Sequence, residues 1–234
     1  NRPEWVVAFW ACLLRGAVVV PVDYRSPVSF LERVRTVVGA SLLLVGDEVE
    51  HETLPADLRR WRLAETLRDA YTHPEPSLPP AEVTRDDVAE IIFTSGATAE
   101  PKGVVITHRN VLANIVPIER EMQKYLRYAR PFSPIRFLNL LPLSHMFGQA
   151  MATFVPPMLT GTVVFMNGYA PTEIVRQIRS RRISVLVSVP KILDVLREHV
   201  SHAFPETTQP PPAGAKWYRR WWRYRRVHNA FGWK

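Results

Sequence analysis

A chain of 234 residues, 47% of them hydrophobic, is long enough for one large domain or two small ones around a substantial core. Cys12 is its single cysteine, which excludes an intrachain disulfide; its apolar setting at helical spacing reads as a packed small hydrophobe in a reducing, cytoplasmic compartment. The formal charge of +8 belongs to the tail, because residues 214–234 hold seven Lys/Arg and no acid while the remainder balances 23 basic against 22 acidic groups.

In chain order, "EWVVAFWACLLRG" predicts a buried helix stopped by Gly16, and "AVVVPVD" a buried strand. "SFLERVRTVVGA" places Phe30, Leu31, Val34, Val37 and Val38 at helical spacing, and "SLLLVGD" is a second strand. Residues 51–71 are ambiguous. The first segment, 1–72, therefore reads as α/β, followed by a proline-rich connector over 73–82.

The next segment, 83–203, opens with "VAEIIF" as a strand, a polar loop, and "GVVIT" as a strand. A helix follows from His108 to about Arg130, with Asn114, Ile115, Ile118 and Met122 on one side. "RFLNLLPL", "GTVVFM" and "ISVLVSV" predict strands, while "HMFGQAMATFV", "PTEIVRQIRSRR" and "PKILDVLREHV" predict helices, the last two started by proline. Such alternation implies an α/β fold of parallel-rich sheets covered by helices. A second proline-rich connector, 204–214, leads to a basic aromatic helix over 215–234.

Phe137 to Thr172 forms 36 residues without Asp, Glu, Lys or Arg, long enough to be tested as a membrane span. Pro142, Pro156, Pro157, Gly148 and Gly161, with Asn139, Ser144, His145 and Gln149, favour buried strand, helix and strand instead. The chain starts inside an amphipathic pattern with no signal-peptide layout, and a piece of a longer polypeptide is expected.

The loop "TSGATAEPKG" carries the chemistry. Thr94, Ser95 and Thr98 offer hydroxyls, Gly96 lets backbone N–H groups come close to a ligand, and Lys102 adds a positive charge. That set suits a polyphosphate. It is not the Walker pattern, since glycine follows Lys102 instead of preceding it.

"TSGATAEPKGV" instead resembles the signature loop of the adenylate-forming superfamily, the AMP-binding acyl- and aryl-CoA synthetases, luciferases and peptide-synthetase adenylation domains. Ala97 stands where the family has a hydroxyl residue, and Ala99 where it has a second glycine. The early "NRPEWVVAFWACLLRGAVVVPVDYRSP", then "THRNVLAN", "LPLSHMFG" and "ISVLVSVPKILDVL", resemble further family segments in order, so the resemblance covers nearly all of residues 1–200. Among members, the long uncharged stretch and the basic-aromatic tail look most like a bacterial medium- or long-chain fatty acyl-CoA synthetase.

The resemblance implies an ATP-dependent acid:CoA ligase that joins a carboxylic, here fatty, acid to AMP and passes the acyl group to a thiol. Thr94, Ser95, Gly96, Ala97, Thr98 and Lys102 would bind the ATP phosphates, with Thr94 near Mg²⁺; His145, Met146, Phe147 and Gly148 would border the acyl site, with Met151 and Phe154 as further candidates for an acyl channel. Coenzyme A is the implied acceptor. The family's later elements, a Thr-Glu segment for Mg²⁺, a ribose-binding aspartate and a catalytic lysine, do not occur before Lys234, so no catalytic residue is assigned within the segment and a missing C-terminal part is the implied partner.

"KWYRRWWRYRRVHNAFGWK" places Trp217, Trp221, Tyr224 and His228 on one helical face and Arg219, Arg223 and Arg226 on another. It fits a packing helix first, an anionic membrane surface at the inner face second, and nucleic acid least. A non-catalytic acyl- or membrane-binding module derived from such an enzyme is the alternative to a ligase domain.

Overall fold

A computed structural model describes residues 1–49, 58–73, 78–94, 101–129, 133–209, 211, 214 and 216–232. The chain is α/β and divides into two compact units, one of residues 2–118 with 142–149, the other of residue 1 with 119–141 and 150–234.

The first unit begins with helix α1, Pro3–Leu14, whose proline occupies a position where the missing N–H costs nothing. Phe9 and Leu13 are its buried residues, and Trp5 stacks on Phe9 at 5.1 Å between centroids. Helix α2, Val28–Val38, buries Val34 and ends at Gly39, whose left-handed φ of 63° closes the last turn with an N–H bond to the Arg35 carbonyl. Strand β1, Leu42–Val45, pairs in parallel with β2, Arg59–Arg62, which leads into helix α3, Leu63–Thr72. These last two elements fall in the stretch whose pattern is ambiguous in sequence.

"AVVVPVD" does not form the expected strand. Val19 makes a single parallel bridge to Glu90, with Val19 N–H on the Ala89 carbonyl at 3.0 Å and Ile91 N–H on the Val19 carbonyl at 2.9 Å. Pro21 supplies no N–H to continue the ladder.

Strands β3, Val88–Thr94, and β4, Lys102–Thr107, form an antiparallel hairpin with a bulge between Val88 and Glu90. Helix α4, His108–Ala129, starts where β4 stops because Thr107 caps it: Asn110 N–H donates to Thr107 Oγ1 at 3.3 Å, while Thr107 N–H and hydroxyl donate to Asn110 Oδ1 at 3.0 and 2.9 Å. This reciprocal pairing is a capping box with Asn in the Glu position. Of the expected apolar face, Ile115 is buried and Met122 packs into a core, but Ile118 is 42% exposed.

The second unit is organised by a parallel sheet in the order β6-β5-β7, made of β5, Arg136–Asn139, β6, Thr162–Phe165, and β7, Val185–Val187. Successive side chains of β5 point to opposite faces. Phe137 joins Leu141, Val155 and Val187 in one cluster, while Leu138 joins Leu140, Ile174 and Leu196 in the other. Helices α7, Pro171–Ser180, and α8, Pro190–Ala203, supply Ile174 and Leu196 to the second cluster. Burial on both faces is why these strands are apolar throughout rather than alternating.

The uncharged stretch becomes β5, a helical run and β6. That run is α5, Met146–Gln149, a π-helical turn over Ala150–Phe154 and α6, Val155–Met158. Among the described residues no helix is long and apolar enough to cross a membrane. The tail is two short helices, α9, Trp217–Arg223, and α10, Arg225–Phe231, rather than one. At Tyr224 the backbone turns to φ −97° and ψ 15°, and the hydroxyl donates to the Gln209 carbonyl at 3.4 Å.

Thr107→Ala removes the cap of α4 and is expected to lower stability by about 1 kcal/mol, whereas Thr107→Ser retains most of it. Urea denaturation midpoints of the two variants check this; equal midpoints would contradict the capping role.

Candidate functional site

The loop of interest is held by the hairpin beneath it. Thr94 at the end of β3 pairs with Lys102 at the start of β4, so residues 95–101 close the hairpin. Ser95, Gly96, Ala97 and Thr98 lie outside the described residues, and of Thr94 only the backbone is described. Lys102 is exposed, and among the described residues it takes part in no ion pair.

Gly103 explains why the residue after this lysine is small. A Cβ there would meet Ile91 Cγ2 at 2.8 Å and the Phe93 ring at 3.0 Å. Phe93, directly opposite Gly103 in the register, is 8% exposed and lies over the glycine. The ring fills the space a side chain would take, a pairing that pins strand register. Farther along, His108 N–H and Arg109 N–H donate to the Asp87 and Arg85 carbonyls at 3.1 and 2.7 Å, and Arg109 pairs with Asp86 at 2.7 Å. Both ends of the hairpin are thereby fixed.

The same unit contains Pro142–Gln149. His145 is exposed, Met146 half-buried and Phe147 61% exposed, while Gly148 and Gln149 are buried. His145 lies near enough to Asp23 to act on its charge. The Arg25 side chain, bonded to Asp23 at 2.8 and 2.9 Å, is the main reason the Asp23 carboxyl sits below its usual range; partial burial opposes this, and the Arg25 N–H, the Arg25 charge and His145 add to it. Met151 and Phe154 belong to the other unit, where Met151 packs against the Phe137 cluster and Phe154 is 6% exposed.

Three polar residues here escape motif reading. Asp23 lies within "PVDYRSP" but carries no role there. Glu90 and Gln149 are each fully buried, and among the described residues neither carboxyl oxygen nor either amide atom has a partner in hydrogen-bond geometry. Burial pushes the Glu90 carboxyl up to about 7, with the Gln149 amide pulling the other way. Their signal in sequence is an acid inside the apolar run "VAEIIF" and a lone amide in an uncharged stretch. A carboxylate in such a place is costly, so its charge state matters.

The α/β fold with its β3–β4 hairpin is the setting in which the comparisons give the family: the chain belongs to the AMP-binding enzyme family, whose model matches residues 1–232. It is 29% identical over 202 residues to a feruloyl-CoA synthase of Amycolatopsis sp, covering 85% of this chain and 39% of that protein. It is 30% identical over 219 residues to the mitochondrial malonate–CoA ligase of Homo sapiens, covering 90% of this chain and 36% of that protein. The structure resembles O-succinylbenzoate coenzyme A synthetase of Bacillus subtilis in complex with AMP, with a TM-score of 0.67 and 23% identity over 85% of this chain and 49% of that one, a likeness of fold. The chain thus spans well under half the length of these curated relatives.

Gly103→Ala is expected to force Phe93 or Ile91 aside at a cost of about 1–3 kcal/mol. Thermal unfolding checks it, and a melting temperature unchanged from wild type would show that the strand pair yields freely.

Proposed function

We propose that this chain is the phosphate-binding and carboxylate-facing part of an ATP-dependent acid:CoA ligase. The observation that carries the reading is the register of β3 with β4, which sets Lys102 at the closed end of the "TSGATAEPK" loop. In this reading Thr94, Ser95, Gly96, Ala97, Thr98 and Lys102 hold the β- and γ-phosphates of ATP. A carboxylate attacks the α-phosphorus, the bond to the β-phosphate oxygen breaks, and pyrophosphate leaves as acyl-adenylate forms; a thiol such as that of coenzyme A then displaces AMP. Charge accumulates on phosphate oxygens throughout, so Lys102 and the loop's N–H groups act by electrostatic stabilisation and by fixing position.

Mg²⁺ enters this reading only with the nucleotide, as a counter-charge on its phosphates. Among the described residues no three His, Cys, Asp or Glu side chains gather to hold a metal, which leaves Thr94 as a single contact in the proposal. His145, Met146, Phe147 and Gly148 border the carboxylic acid, with His145 close enough to Asp23 to act on its charge. A fatty acid suits the half-buried Met146 and exposed Phe147 that follow the histidine.

The expected result is that residues 1–234 bind ATP but form no acyl-CoA alone, because nothing in them is assigned to the thioester step. Lys102→Ala should weaken ATP binding tenfold or more, about 1.4 kcal/mol, in a calorimetric titration. Unchanged ATP affinity in that variant, or robust acyl-CoA synthesis by the 234-residue chain, would overturn the reading.

A second reading concerns the tail. Trp217 is 78% and Trp222 59% exposed, Arg219 and Arg220 are exposed beside them, and no acid follows Glu206 in the sequence. Aromatics and arginines in that arrangement suit an anionic membrane surface. Co-sedimentation with vesicles containing anionic lipid should fall when the chain is ended at Gly214; equal sedimentation would remove this reading and leave the tail as a packing element on α7.

A further inference from the structure

Glu90 and Gln149 present complementary groups that are both buried and near enough for the amide to act on the carboxyl. Each residue is 0% exposed, and among the described residues all four of their polar atoms lack a partner in hydrogen-bond geometry. Glu90 follows the β-bulge in β3, with Val19 bridged to it on one edge and Ile106 opposite it on the other. Neither neighbour titrates. Burial and the Gln149 amide are the two influences on the Glu90 carboxyl, and the one titratable residue on the segment that bears Gln149, His145, acts on Asp23 and is not among them.

We propose that Glu90 is kept as the neutral acid and pairs with Gln149 through two hydrogen bonds, a tie that positions the Pro142–Gln149 segment, and with it His145, on the strand that runs into the loop. A neutral carboxyl donates its O–H to the amide oxygen and accepts the amide N–H on its carbonyl oxygen. All four buried atoms are then satisfied. An ionised Glu90 accepts the N–H alone and sets the Gln149 oxygen against an anion. The terminal torsions of Glu and Gln are broad, so closing the pair takes only side-chain turning. Glu90 and Gln149 are positioning residues here; the importance of His145 to substrate rests on the ligase reading, whereas the tie itself does not.

The sign of the pH effect follows. The folded-state carboxyl titrates near 7, above its ordinary value of 4.5, so the folded form holds an extra proton between those values. Stability from the tie is fully present below the lower value and is lost as pH rises through the upper one.

The experiment uses the 234-residue chain and its Glu90→Gln, Glu90→Leu and Gln149→Leu variants, without nucleotide or acid, so its failure is separable from failure of the ligase reading. Unfolding midpoints are measured from pH 5 to 8, together with amide hydrogen exchange over residues 142–149 corrected for intrinsic pH dependence, and the infrared carbonyl band of a protonated carboxyl at pH 6. Wild type is expected to lose stability and segment protection as pH rises through about 7. Glu90→Gln, which can make an amide–amide pair, is expected to stay protected with that slope removed, and to lack the band. Glu90→Leu and Gln149→Leu should exchange roughly tenfold faster over the segment at pH 6, each leaving one polar partner unpaired. A wild-type slope retained in Glu90→Gln, absence of the band in wild type, or protection in Glu90→Leu equal to that in Glu90→Gln would each overturn the proposal. If the leucine variants do not fold, the slope and band comparison of wild type with Glu90→Gln decides alone.

Discussion

Strand β3 is hydrogen-bonded on both edges, to Val19 on one and to β4 on the other, and the placement of the candidate site depends on that constraint. Two-sided pairing leaves β3 no freedom to slip, since a shift by one residue would turn Phe93 and Glu90 to the opposite faces. The Phe93 ring over Gly103 adds a second lock, and the capped start of α4 holds the far end of β4. Thr94 and Lys102 therefore meet at a fixed point, and the loop between them starts and ends where the strands dictate. A polyphosphate grip needs such a footing, because its work is to hold groups still while charge moves.

The apolar sheet of the other unit shows how the remainder is stabilised. Phe137 and Leu138, adjacent in β5, serve clusters on opposite faces. Asn139 ends the strand by folding back on Leu141, accepting its N–H and donating to its carbonyl, both at 3.2 Å. A buried amide satisfied locally in this way contrasts with Gln149, which has no such partner among the described residues. The difference is informative because buried polar groups are rarely left unmet without a reason.

Much of this was legible in the sequence. The proline-started helices at Pro171 and Pro190, the glycine stop at Gly16 and the two strands flanking the loop follow from local rules that the structure obeys. The strand expected at "AVVVPVD" failed because apolar character is not a ladder: Pro21 offers no donor, and only Val19 finds a partner. Residues 51–71 are ambiguous in sequence, and within them Arg59, Arg60 and Arg62 hide a strand whose partner, β1, lies elsewhere in the chain. The signature loop was found by its residue types, whereas the influence of His145 on Asp23 and of Gln149 on Glu90 links distant positions, which no single stretch announces. Ile118 illustrates the same limit, since helical spacing marks a face without saying that a neighbour will cover it.

The central claim is that the β3–β4 hairpin grips the terminal phosphates of ATP. The direct measurement is a comparison of backbone amide NMR shifts on titration with ATP and with AMP. The account predicts that ATP moves the signals of residues 94–103 and that AMP, which lacks the β- and γ-phosphates, leaves them nearly unmoved. Equal responses to both nucleotides, or shifts confined to other parts of the chain, would contradict it.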